Sequence, residues 1–109
     1  MDTKKRHPMY NKVLNVLWNL RGYYRMDNKK GFIEILEEYK NLMLDWNRNN
    51  NHDYYTELPK FIELILKYIR ESKDKTLPKN IQSIKQHFEI FTICLLYRIW
   101  VNPNFDIEG

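Results

Sequence analysis

Residues 81–101 read IQSIKQHFEIFTICLLYRIWV and contain the most apolar stretch of the chain. In the first half, apolar residues follow one another at steps of three and four, which is typical of an amphipathic helix. From Ile90 onward the run is apolar nearly all round, and a helix of that kind is usually buried on every side. We therefore predict a C-terminal helix at the centre of the fold, with the earlier helices packed around its second half.

Three earlier segments show the same helical period, and none shows the alternating period of a strand. The Asp27–Gly31 stretch predicts a turn, and the polar Asn47–Asp53 stretch predicts an exposed loop. The fold class is therefore all-α: a compact antiparallel bundle of about four helices with the C-terminal helix central. The predicted helices span about residues 8–24, 32–47, 57–72 and 78–101.

The length of 109 residues suits a single helical domain over residues 1–109. Residues 1–7 form a basic N-terminal arm before Pro8, which suits the first turn of a helix. Pro103 ends the last helix, because the residue before a proline is pushed out of helical geometry. Residues 102–109 are then a C-terminal tail.

Composition gives a hint about origin. The chain has no Ala, although Ala is the best helix former, and it is rich in Asn, Lys, Ile and Tyr, whose codons are AT-rich. That bias suits a factor from a phage, a virus or a mobile element. The single cysteine, Cys94, lies inside the apolar run, where we expect it to be a small buried hydrophobe. No apolar run approaches the roughly 20 residues of a membrane span, so we expect a soluble, cytoplasmic protein, in an infected host cell if the source is viral.

The formal net charge of +4 is concentrated near the N-terminus. Residues 1–30 carry eight Lys and Arg against two Asp, whereas residues 31–72 are net acidic. Such a segment predicts contact with nucleic acid or an acidic partner if its cations converge on one side of the fold. The candidate residues for that contact are Lys4, Lys5, Arg6, Lys12, Arg21, Arg25, Lys29 and Lys30.

Residue patterns for chemistry are weak. His7, His52 and His87 have no His or Cys neighbours at metal-ligand spacing. Ser83 and His87 share a helical face, but no orienting acid accompanies them. We therefore predict no catalytic, cofactor-binding or metal-binding residues, and a protein that is not an enzyme.

Aromatic residues are abundant, with three Trp, eight Tyr and five Phe, and a bundle of this size cannot bury all of them. Tyr and Trp are enriched where protein interfaces are strong. We therefore predict a helical binding protein that acts through protein–protein interaction, on a partner protein or on another copy of itself, as a regulator or inhibitor of a host complex. The alternative is a small basic protein that binds nucleic acid through its N-terminal segment. The candidate interface anchors are Trp18, Tyr23, Tyr54, Tyr55, Leu66, Leu96 and Trp100.

Overall fold

A computed structural model describes residues 9–50 and 57–101, with side chains described at 9–45 and 57–100. These ranges form four α-helices and contain no strand, which confirms the all-α bundle. The helices are α1 (Tyr10–Arg25), α2 (Lys29–Asn50), α3 (Glu57–Glu71) and α4 (Ile81–Val101).

The helices pack as an antiparallel series, in which α1 lies between α2 and α4, and α2 lies between α1 and α3. Ion pairs Lys40–Glu63 and Arg70–Glu37 set the antiparallel register of α2 and α3. The register of α1 and α4 is set by the Arg21–Glu89 pair and by the rings of Tyr10 and Trp100, which lie 5.5 Å apart.

The turn between α1 and α2 is shorter than predicted, because α2 begins at Lys29. Asn28 caps the helix: its Oδ1 accepts a hydrogen bond from the Gly31 N–H at 2.9 Å, and its carbonyl accepts one from the Phe32 N–H. Asp27 has a φ of 53°, in the left-handed region that Asp tolerates better than most residues. Because α2 begins at Lys29, Gly31 is a helical residue. A Cβ atom at this position would lie only 2.5 Å from the nearest atom of the Tyr23 ring.

Two other helix ends differ from the prediction. α2 continues to Asn50, so the first part of the expected Asn-rich loop is helical. α4 begins at Ile81, since Leu77 and Pro78 are buried ahead of it as part of the connection.

The connection between α3 and α4 is tied to the turn between α1 and α2. Lys29 Nζ donates to the carbonyl oxygens of Ser72 and Asp74, at 2.8 and 2.6 Å. The Leu77 N–H donates to Asp27 Oδ1 at 2.9 Å. These bonds hold the start of α4 near the start of α2.

The inner face of α4 meets side chains of all three other helices, and the backbone of α4 lies closest to α1. Phe88 and Thr92 are buried there, and Leu95 and Ile99 continue the same face. The Thr92 hydroxyl donates to the Phe88 carbonyl oxygen at 2.6 Å and lies 2.9 Å from the hydroxyl of buried Tyr39 on α2. The Phe88 ring lies 5.5 Å from the ring of Phe61 on α3. This face holds α4 against the core.

The outer face of α4 is exposed, so the prediction that its second half is buried on every side is wrong. Ile90, Ile93, Tyr97 and Trp100 are between 45% and 68% exposed, and Cys94 is exposed beside them. The reason is geometric: α4 packs closely against α1 and meets α2 and α3 through side chains on its Phe88 side, so its opposite side is left exposed. Cys94 is therefore not the buried residue that its apolar neighbours suggested.

We expect Phe88→Ala to lower the free energy of unfolding by about 3–5 kcal/mol, because a fully buried ring shared by α2, α3 and α4 would leave a cavity. Urea denaturation followed by circular dichroism measures the loss. Phe61→Ala is the control, since Phe61 is partly exposed and should cost clearly less. Equal losses for the two variants would contradict a core centred on Phe88.

Candidate functional site: the outer face of α4 and a basic cleft

Four exposed apolar residues form a continuous strip along α4, which we call the outer face: Ile90, Ile93, Tyr97 and Trp100. Their spacing of three, four and three residues is that of the seam along which two helices pair. At about 100° per residue the four side chains fall within an arc of about 80°, over about 15 Å of helix. The outer face therefore has the pattern and length of a helix-docking surface.

Charged side chains are scarce along the second half of α4. Between Ile90 and Val101 the only charged residue is Arg98, which is half-buried and lies on a different side of the helix. The antiparallel register of α1 and α4 places Trp18, which is 60% exposed, alongside the middle of α4. Trp18 thus extends the apolar surface from α4 onto α1.

The predicted interface anchors fall into three groups. Trp100 lies exposed on the outer face, and Trp18 lies exposed beside it. Leu66 and Leu96 are buried, so the prediction that they are accessible anchors is wrong. Tyr23 is half-buried over Gly31, while Tyr54 and Tyr55 lie outside the described residues.

Sequence reasoning missed Ile90, Ile93 and Tyr97, which carry most of the outer face. It assigned them to the core because the helix is apolar all round. The three-four-three spacing was a usable signal, because it marks a second stripe opposite the one formed by Phe88, Leu95 and Ile99.

A second feature is a cleft of about 410 Å³ between α1 and the first half of α4, which we call the basic cleft. Its lining residues are Trp18, Arg21, Gly22, Tyr24, Arg25, Lys85 and Glu89. Glu89 accepts from Arg21 Nε at 2.6 Å and from Lys85 Nζ at 3.0 Å. The Lys85 ammonium lies 4.5 Å from the centre of the Tyr24 ring, and the Arg21 guanidinium lies 5.5 Å from that of Trp18. Two cations thus bind one carboxylate beside two aromatic rings, and Arg25 lines the same cleft.

The pKa of Glu89 reflects this arrangement. Partial burial on its own raises the pKa, but hydrogen bonds from Arg21 and Lys85, together with their charges, lower it by more. The net result is a pKa below the ordinary value for a glutamate. Glu89 therefore stays ionised at neutral pH and holds α1 to α4.

The predicted basic residues do not converge on one side within the described ranges. Arg21 and Arg25 line the basic cleft, whereas Lys12 lies on the opposite edge of α1. Lys29 is used in the link to Ser72 and Asp74, and Lys30 is exposed near the start of α2. The remaining three, Lys4, Lys5 and Arg6, lie outside the described residues. Lys85, which sequence reasoning did not select, joins the cleft from α4.

Two further observations concern the described part of the chain. It contains no group of three or more His, Cys, Asp or Glu side chains placed to hold a metal ion. None of the four helices combines the length and apolar content needed to cross a membrane.

We expect Glu89→Gln to lower the free energy of unfolding by about 1 kcal/mol at neutral pH, because two charge-assisted hydrogen bonds are weakened. Since folding lowers the pKa of Glu89, the wild-type advantage is present above the unfolded-state pKa and is lost as the pH falls through the folded-state pKa. Urea denaturation from pH 7 downward measures the difference. A difference that does not shrink in acid would contradict this role for Glu89.

Comparison with known proteins gives no match: no family model, no curated protein and no solved structure is similar to this chain.

Proposed function

We propose that this chain is a non-catalytic binding protein whose outer face on α4 receives an apolar helix of a partner protein. The observation that carries the proposal is the exposure of Ile90, Ile93, Tyr97 and Trp100 in a single uncharged strip. Large apolar surfaces on soluble proteins usually mark sites of interaction. Tyr and Trp are also the side chains that most often dominate binding energy.

The size of the surface limits the kind of partner. The outer face and Trp18 offer on the order of 500 Å² of accessible apolar surface. At about 25 cal/mol per Å² this is worth roughly 12 kcal/mol before the costs of association, which are of similar size. A stable complex therefore requires a partner that buries an apolar face of its own, which an amphipathic helix does.

A second exposed stripe, formed by Phe61, Leu64 and Tyr68 on α3, is a weaker candidate. Charged residues lie among and beside its members, including Lys60 and Lys67. A strip that mixes apolar and charged side chains is typical of a solvated helix surface. The outer face of α4 has no such charges, so it is the better docking surface.

The broader setting is part of the proposal. A small cytoplasmic factor from a phage, a virus or a mobile element that regulates or inhibits a host complex would need such a surface and no chemistry of its own. The AT-rich composition and the outer face are the observations that support this setting.

We expect Ile90→Asp to abolish binding of the partner, because it places a charge within the apolar seam. Leu64→Asp is the matched control, since Leu64 is 65% exposed on α3 and Ile90 is 64% exposed on α4. The measurement is affinity purification of each tagged variant from cells that naturally express the chain, followed by quantitative mass spectrometry. Proteins lost with Ile90→Asp and retained with Leu64→Asp, untagged copies of the chain included, are the expected result.

Thermal unfolding of both variants serves as the folding control, because each substitution is on an exposed position. If the two variants and the wild type retain the same proteins, binding does not use the outer face and the proposal fails.

Nucleic acid is the second candidate partner, and the basic cleft favours it. Arg21, Arg25 and Lys85 supply positive charge beside the rings of Trp18 and Tyr24. Cations track a phosphate backbone, and aromatic rings stack on unpaired bases. Because Glu89 already neutralises part of this charge, the cleft is a weaker basis for function than the outer face.

If the basic cleft binds single-stranded nucleic acid, Arg25→Gln should weaken binding by about three- to tenfold. It should also reduce the slope of the logarithm of the binding constant against the logarithm of salt concentration by about one. Lys12→Gln is the control, because it removes the same charge from the opposite edge of α1. Fluorescence anisotropy of a labelled single-stranded oligonucleotide, measured at low and moderate salt, reports both quantities. Equal effects of the two substitutions would show non-specific attraction and exclude the cleft.

A further inference from the structure

We infer that the partner on the outer face is a second copy of this chain, with the two α4 helices packed antiparallel about a two-fold axis. The inference rests on the proposed function and adds the identity of the partner. It is carried by the order of large and small side chains along the strip.

The outer face has its two isoleucines at one end and its two aromatic residues at the other. In an antiparallel pair centred near residue 95, Ile90 faces the partner's Trp100 and Ile93 faces the partner's Tyr97. Each of the four layers then contains one isoleucine and one aromatic ring. Facing positions that alternate large and small side chains keep helices at a constant separation and leave no voids.

A parallel pair lacks this complementarity. It would set Trp100 against the partner's Trp100 and Ile90 against the partner's Ile90. The helices would be forced apart at one end and leave a gap at the other. Because overpacked and underpacked layers are both destabilising, the order of residues favours the antiparallel arrangement.

Charge and area are compatible with a second copy. The four residues of the seam are uncharged, and Arg98 lies off the seam, so the two strips meet without like charges in contact. Two outer faces, each extended by Trp18, bury on the order of 1,000 Å² in total. That is near the lower limit for a specific interface and predicts a weak, reversible dimer.

Cys94 reports on the orientation. It is exposed at the edge of the outer face, one residue from the proposed two-fold axis. In an antiparallel pair the two copies of Cys94 lie on the same side of the interface and within a few residues of each other. In a parallel pair they lie on opposite sides. Since Cys94 is the only cysteine, any thiol cross-link between chains must join these two residues.

The experiment combines sedimentation equilibrium of the full chain with cross-linking by a short bis-maleimide. We expect wild type to dimerise reversibly and to cross-link in proportion to the dimer present. Ile90→Asp should weaken dimerisation at least a hundredfold, whereas Leu64→Asp should leave it unchanged. Both measurements can be made on the wild-type chain, and the cross-link uses its native cysteine, so the wild-type result does not depend on any variant folding.

A residue swap tests the layer pairing. Ile93→Tyr alone sets two rings against each other, and Tyr97→Ile alone leaves two layers underfilled, so each should weaken the dimer about tenfold. The double variant restores one ring and one isoleucine in each layer, and should recover most of the lost affinity.

Three outcomes overturn the inference: a wild-type chain that is monomeric at all concentrations, a dimer unaffected by Ile90→Asp, and a dimer that does not cross-link through Cys94. A different outcome is a monomeric wild-type chain that recovers another protein, which the Ile90→Asp variant does not recover in the purification experiment. In that case the proposed function stands and the second copy is excluded as the partner. If no association of any kind depends on Ile90, both fail.

Discussion

The structure depends on how α4 packs: among the described helices it lies close to α1, and it meets α2 and α3 through side chains of the same inner face. In α4, Phe88, Thr92, Leu95 and Ile99 face the core and fix the helix to its neighbours. The apolar residues on the opposite side stay largely exposed, although the Trp100 ring lies 5.5 Å from that of Tyr10 on α1. The same helix therefore supplies both the stability of the bundle and the surface most suited to association.

Most of the fold could be predicted from sequence, because periodicity reports directly on helices that bury one side. The α2 stripe through Phe32 and Tyr39 is an example, and both residues are fully buried. The start of α2 was harder, because the Gly31 that suggested a turn is instead a helical residue that makes room for the Tyr23 ring. Glycine is selected where a side chain would collide with a close neighbour, and also where the backbone needs an unusual geometry. The sequence alone does not distinguish these two reasons.

The candidate site was only partly predictable, for two physical reasons. Hydrophobicity does not distinguish a residue buried within its own chain from one that docks on another, so Ile90 and Tyr97 were assigned to the core while Leu66 and Leu96 were assigned to the surface. Charge counting identified Arg21 and Arg25, but it could not show that Lys85 and Glu89 meet them from a helix more than 60 residues away. Helical periodicity describes the faces of one helix, and long-range pairing requires the register between helices.

The link between the two connections of the bundle has a consequence for how this chain tolerates change. Lys29 and Asp27 bind only main-chain atoms of the connection between α3 and α4, namely the carbonyl groups of Ser72 and Asp74 and the amide of Leu77. Every residue type offers such a carbonyl, and all but proline offer the amide. These three bonds therefore require no particular side chains at residues 72–76, but an insertion or deletion in that segment would displace all three bonds at once.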